Sequence, residues 1–238
     1  MRQAGKIVAV VLGMLEASVE PGITTEALNK IAEEEAKKNN AIPSFKGYRG
    51  FPASICVSVN EQIVHGIPSK RKLKGGDIVS LDFGVIYNGF HGDAARTVAV
   101  GSISSKAQEL LTVTQEALIT GSTKAKDGVN LGDVSYAIQK YIESNGFSVV
   151  REYVGHGIGR DMHEEPQIPN FGTEGRGPIL RTGMTLAIEP MVNAGMRQTK
   201  LTDTKWTVVT ADGSLSAHFE HTIAVTDGKA EVLTSGDI

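Results

Sequence analysis

Two aspartates lie where one short hairpin can bring them together. Asp82 sits in Ile78-Val79-Ser80-Leu81-Asp82-Phe83, and Asp93 in Phe90-His91-Gly92-Asp93. Between them, Asn88-Gly89 is a two-residue turn signal of the kind that closes antiparallel strands. With that turn, Asp82 stands opposite Ala95 and Asp93 opposite Gly84. The two acids then share a face as diagonal neighbours about 7–8 Å apart or less. Two carboxylates so placed repel each other unless water or cations separate them. The spacing suits a bridged pair of divalent ions about 3.5–4 Å apart.

Further candidates lie in the second half. His156 is set among glycines in Gly155-His156-Gly157-Ile158-Gly159, which permits close approach of backbone or substrate. Glu189, in Leu186-Ala187-Ile188-Glu189-Pro190-Met191, is an acid inside an apolar strand. Such an acid is costly unless paired or metal-bound. Around Glu220, alternation puts Ala217, Phe219 and Ile223 on one face and Ser216, His218 and Glu220 on the other. Four carboxylates and one imidazole balance the charge of two divalent ions. Oxygen-rich donors suit Mn, Fe, Co or Zn better than a structural thiolate zinc site. Bland readings compete at each position: the Asp82 face can meet water, and a lone histidine can be structural. The spacing argument itself joins only the two aspartates.

The elements that must position these residues are legible as changes of period. Ile7, Val8, Val11, Leu12 and Leu15 fall on one helical face, ended by Pro21-Gly22. A second helix runs from Thr24 or Thr25 to Asn39-Asn40. Strands are expected at 54–60, 77–86 and 90–100. A helix resumes near Ser104 and breaks at Asp127-Gly128, and another runs from Leu131 to Asn145-Gly146. Strands follow at 147–154, 184–192, 206–210 and 218–225. Two helices then strands therefore occur twice, and Pro21-Gly22-Ile23-Thr24-Thr25 resembles Asp127-Gly128-Val129-Asn130-Leu131. This points to one α+β domain, 1–238, built by internal duplication from halves of roughly 1–103 and 104–238.

Composition bounds the function. The chain has 238 residues, 40% of them hydrophobic, enough for a sizeable core. Its longest apolar stretch, Ile7 to Leu15, is far short of the ~18 residues that span a bilayer. No membrane partner and no signal peptide are therefore expected. The formal net charge of -3 gives no footprint for direct nucleic-acid binding. The basic run Lys70-Arg71-Lys72 reads as a solvated loop. One cysteine, Cys56, excludes a disulfide framework and fits a reducing, cytoplasmic setting.

Taken together, these motifs resemble the type I methionine aminopeptidases. The resemblance rests on Tyr153-Val154-Gly155-His156-Gly157-Ile158-Gly159 followed by His163, on Asp82 and Asp93 in the Asn-Gly-Phe-His-Gly-Asp hairpin, on Ile188-Glu189-Pro190-Met191, and on Phe219-Glu220-His221-Thr222. It runs over nearly the whole chain. It implies a pita-bread fold, with pseudo-twofold halves around a curved antiparallel sheet and helices outside. It implies an enzyme that removes the N-terminal methionine of peptides and nascent proteins, preferring a small second residue. Asp82, Asp93, His156, Glu189 and Glu220 become ligands of two divalent cations (Co, Mn, Fe or Zn), with Asp93 and Glu220 bridging. Glu189 becomes the general base, His163 the donor to the scissile carbonyl, and His65 the contact to the substrate amide. Tyr48, Phe51, Cys56, Met162, Trp206 and His163 line the methionine pocket. A monomer with transient ribosome proximity is expected.

The chain departs from that pattern at Met162, where phenylalanine is common, and at Phe45, where a cysteine often lies. Ser80 stands in place of an asparagine that the resemblance associates in some members with a monovalent cation, which leaves that extra ion open. Thr204-Lys205 replace smaller or acidic residues before Trp206, and the chain begins about ten residues late. Two other readings compete. Proline-specific relatives of the same fold usually carry an extra N-terminal domain, for which 238 residues leave no room. Non-catalytic binding proteins of the fold typically lose ligands that are all present here.

Overall fold

The computed structural model describes residues 1–236. Helices α1 (Arg2–Ser18) and α2 (Thr25–Lys38) come first, then short strands β1 (Ile42–Pro43), β2 (Cys56–Val59) and β3 (Gln62–Val64). The long hairpin β4 (Ile78–Tyr87) and β5 (Phe90–Ala99) closes the first half. Helices α3 (Ser105–Lys124) and α4 (Leu131–Ser144) open the second half. Strands β6 (Ser148–Val149), β7 (Gly155–Gly157), β8 (Glu164–Ile168), β9 (Thr185–Ile188) and β10 (Met191–Asn193) follow. The chain ends with β11 (Thr199–Leu201), β12 (Val208–Thr210), β13 (Ser216–His218), β14 (Glu220–Ala224) and β15 (Glu231–Val232).

Local chemistry starts the helices. The Thr24 hydroxyl accepts from the Ala27 N–H and the Ser104 hydroxyl from the Ala107 N–H, each satisfying a donor the helix leaves free. The apolar stripe of α1 is buried as its spacing predicts: Ile7, Val8, Val11, Leu12 and Leu15. Main-chain pairing then builds a nine-stranded sheet ordered β1-β4-β5-β14-β9-β7-β8, with β2 also on β4 and β15 on β14. All of its pairings are antiparallel.

The helices cover one face of this sheet. Phe83 and Ala94 point into the cluster built on α1 and α2, and Ile188 into the one built on α3 and α4. The opposite face carries Asp82, Asp93, His156 and Glu220, as the register below shows. The hairpin pairs as expected, with Asp82 opposite Ala95 and Asp93 opposite Gly84. The Asp82 face does not meet water: Ser80 and Asp82 are both buried.

The two halves repeat main-chain hydrogen bonds. Gly22 N–H donates to Leu73 O, and Gly128 N–H to Leu180 O. Thr25 N–H donates to Arg71 O, and Leu131 N–H to Pro178 O. Val100 N–H donates to Asp77 O, and Val225 N–H to Met184 O. Gly22 and Gly128 both adopt positive φ, the conformation glycine tolerates without steric cost.

Some expected strands are shorter or divided. The stretch 184–192 splits at Glu189-Pro190, because β9 pairs within the large sheet while β10 pairs with β6 and β13. The expected strand 218–225 is divided at Phe219, with His218 ending β13 and Glu220 starting β14 in a different sheet. Only 148–149 of the expected 147–154 strand is regular. Strand β8 has no apolar alternation and contains Pro166, a residue confined to sheet edges, where β8 lies.

Candidate metal centre

Sheet register collects the acids. One cross-strand row runs Cys56, Asp82, Ala95, Glu220 over β2, β4, β5 and β14. Two residues along, Gly84 pairs with Asp93, and Thr222 pairs with Ala187, which pairs with His156. The Thr222 hydroxyl accepts from Asp93 N–H at 3.0 Å and donates to Asp93 O at 2.7 Å, tying the halves together. A step of two keeps side chains on one face, so Asp82, Asp93, Glu220 and His156 project the same way. Glu189 follows the last residue of β9, where Pro190 ends the strand and the Asn170 amide donates to Glu189 O at 2.9 Å. The neighbours are small by necessity. A Cβ on Gly84 would come within 3.0 Å of Asp93 Oδ1.

Two overlapping groups of donors result. Ligand atoms of Asp93, His156 and Glu220 lie within 4.8 Å of one another, and so do those of Glu189, His218 and Glu220. His156 Nε2 is 3.7 Å from Glu189 Oε1, and His218 Nε2 is 3.4 Å from Glu189 Oε2. The His156 tautomer is set by its neighbour. Nδ1 lies 2.8 Å from Gly157 O, which can only accept, so Nδ1 carries the proton and Nε2 keeps its lone pair for a metal.

Burial without partners strains these acids electrostatically. Asp82 Oδ1, Asp93 Oδ1 and Glu220 Oε1 are buried without a hydrogen-bond partner. Burial, the largest cause, pushes the Asp82 carboxyl up to about 7 and Glu189 up to about 8. Asp93 is raised well above the usual range by burial and by the charges of Asp82 and Glu189, and Glu220 by burial and by the charges of Asp93, Glu189 and Asp82. Burial lowers His156 and His218. Orphaned carboxylate oxygens facing a lone-pair imidazole fit divalent cations, which neutralise the clustered charge.

A cavity of about 150 Å³ opens onto the cluster. It is lined by all twelve residues singled out in the sequence, and also by Phe45 and Arg49. Its apolar wall is Phe51, Cys56, Met162 and Trp206, with Phe51 and Trp206 edge to face at 5.2 Å. Cys56 is buried and its thiol is pushed up by burial, so it is a wall and not a nucleophile. Tyr48 Oη is 2.8 Å from His163 Nδ1, and the His163 ring centroid is 4.2 Å from that of His156. Burial brings His163 and His65 down to about 4. His65 holds φ 58, a left-handed conformation uncommon for a non-glycine residue and concentrated at functional sites. Among the described residues, no helix is long and apolar enough to cross a membrane.

Sequence reasoning put His218 on the Glu220 face but gave it no role. Arg49 carried no signal; it lines the cavity from a tight segment in which Gly47, Arg49 and Gly50 all adopt positive φ.

Comparisons with known proteins agree with this geometry. The model of metallopeptidase family M24 matches residues 1–227. A methionine aminopeptidase of Clostridium acetobutylicum is 58% identical over 98% of this chain and 94% of its own length. The crystal structure of a methionine aminopeptidase from Thermotoga maritima superposes with a TM-score of 0.97 at 51% identity, covering 99% of this chain and 95% of that one. A prolidase from Pyrococcus furiosus shares the fold alone, with a TM-score of 0.81 at 22% identity over 100% of this chain and 63% of its own. The fold is thus the expected α+β pita-bread architecture.

Proposed function

The chain belongs to metallopeptidase family M24, and from that membership we propose that it is a metal-dependent aminopeptidase removing N-terminal methionine from peptides and nascent proteins. The observation that carries this reading is the buried carboxylate–histidine cluster at one end of a small apolar pocket. Asp82, Asp93, His156, Glu189 and Glu220 would hold the two divalent ions, Co, Mn, Fe or Zn. Such ions, when bound, supply Lewis acidity and make water acidic near neutral pH.

The remaining work falls to side chains. Glu189 accepts the proton of the attacking water at a carboxylate oxygen. Tyr48 donates its hydroxyl proton to His163 Nδ1, which leaves Nε2–H free to donate to the scissile carbonyl as negative charge develops there. His65, held at the mouth beside Trp206 and Tyr153, contacts the amide beyond the scissile bond. Phe51, Cys56, Met162 and Trp206 take the methionine side chain and exclude water. A small second residue is preferred.

The repeated hydrogen bonds support one catalytic domain built by duplication, with halves of roughly 1–103 and 104–238. The reading also places a monomer in the cytoplasm, close to the ribosome where nascent chains emerge. Cys56, buried and unpaired, suits that reducing setting.

Cleavage of Met-Ala-Ser, Pro-Ala-Ser and formyl-Met-Ala-Ser tests the function. Methionine should be released from the first peptide alone, because acylation removes the basic α-amine that suits a cluster of acids and cations. Preferential cleavage of an Xaa-Pro bond, as in Ala-Pro-Ser, would favour the prolidase-like alternative.

A further inference from the structure

We propose that His218 is a positioning residue for Glu189, donating its Nε2–H to Glu189 Oε2 and leaving Oε1 for the cluster. The proposal rests on the reading of Glu189 as base and ligand.

His218 is 1% exposed, and its Nε2 has no hydrogen bond within ordinary limits. Glu189 Oε2 lies 3.4 Å from that nitrogen, with Glu220 in the same donor group. Catalytic hydrogen bonds are often this long without substrate and tighten in the working complex. The two oxygens of Glu189 thereby face different ways. Oε1 looks toward His156 Nε2 at 3.7 Å, while Oε2 looks toward His218. His218 is absent from the pocket lining, so it acts from behind Glu189 and not on substrate.

The backbone of His218 is clamped in a way that makes this aim deliberate. Its N–H donates to Thr97 Oγ1 at 2.8 Å, and Thr97 Oγ1 is also 2.8 Å from His218 O. Ser80 Oγ lies 2.8 Å from the same Thr97 hydroxyl, so β4 and β5 together hold the His218 main chain in β13. A carboxylate only accepts, so the arrangement requires a proton on Nε2.

The test uses the zinc-loaded protein and two variants. His218→Leu removes the donor; His218→Gln places an amide N–H at similar reach. Outer-sphere partners of metal ligands are worth about 10–100-fold in affinity or activity. His218→Leu should therefore lower kcat about 10–100-fold with KM within about twofold, and weaken zinc binding by calorimetry by a similar factor. His218→Gln should restore both to within about threefold. Nitrogen-15 imidazole spectra of the zinc-loaded wild type should show His218 protonated at Nε2, assigned by its disappearance in His218→Gln. Protonation at Nδ1 alone, or wild-type kcat and zinc affinity in His218→Leu, would overturn the proposal. If His218→Leu does not fold, the tautomer and the Gln variant decide, and a Gln variant with kcat lowered tenfold or more would overturn it. Glu189→Gln separates the two levels: it should lose at least about a hundredfold in turnover. Near-normal turnover there removes the role of Glu189 itself, whereas a slow Glu189→Gln beside an unaffected His218→Leu removes only the role of His218.

Discussion

Stripping divalent cations should make the protein lose stability steadily as pH rises from about 6.5 to 8. The cause is the buried carboxylate cluster. In the folded chain Glu189 titrates near about 8 and Asp82 near about 7, against ordinary values of 4.5 and 3.8. A folded state that holds protons longer than the unfolded chain loses stability as pH climbs through its raised values. Below about 6.5 the histidines oppose this. His65, His163 and His221 sit near about 4 against an ordinary 6.5, so there the unfolded chain binds more protons and stability rises with pH. At 6.5 the unfolded histidines are still half protonated, so about 0.4 kcal/mol per histidine remains to be gained, and only above about 7.5 do the acids act alone. Each titrating group changes stability by about 1.4 kcal/mol per pH unit. Glu189 over 6.5–8 thus contributes about 2 kcal/mol, and Asp82 over 6.5–7 under 1 kcal/mol. With about 1 kcal/mol offset by the remaining histidine contribution, the net from these two acids is about 1–2 kcal/mol, a fall in Tm of about 2–8 °C for a chain of this size. Asp93 and Glu220 are raised as well and act in the same direction. Calorimetric melts of chelator-dialysed protein at constant ionic strength would measure the slope. Saturating Mn should flatten it, because cations hold the acids ionised in the folded state. A cation-free Tm that stays level or rises between pH 6.5 and 8 would refute the reasoning.

His163→Ala should lower turnover of Met-Ala-Ser by about 10²–10³, the scale of one oxyanion donor, with the far-ultraviolet dichroism unchanged; a loss confined to KM would remove that role. Gly84→Ala puts a methyl 3.0 Å from Asp93 Oδ1 and 3.2 Å from Phe45 Cε1. It should weaken divalent-cation binding about tenfold by calorimetry, as displaced ligands do, with unchanged affinity as the contrary result.

Much of the site was legible in the sequence because the hairpin carries its own register. Asn88-Gly89 fixes which residues face each other, so Asp82 and Asp93 could be paired without any tertiary information. Glu220 and His156 were not deducible in that way. They join the aspartates only through β5–β14 and β9–β7 pairings between segments far apart in the chain, which no local period encodes. The resemblance to a family supplied them. The helices were readable from their apolar stripes and caps, whereas β1, β3, β8 and β11 are too short or too polar to show alternation. His218 illustrates the remaining gap. Its side of the strand was correctly placed by alternation, but its aim at Glu189 depends on the break at Pro190 and on the Thr97 clamp.

The most direct test of the whole account is turnover of Met-Ala-Ser by cation-free protein as Mn, Fe, Co or Zn is added in equivalents, with binding followed in the same samples. The account predicts negligible methionine release without cation, and release that rises with site occupancy for at least one of the metals. Stoichiometric binding of every metal with no methionine released by any of them, or full activity in the presence of excess chelator, would contradict it.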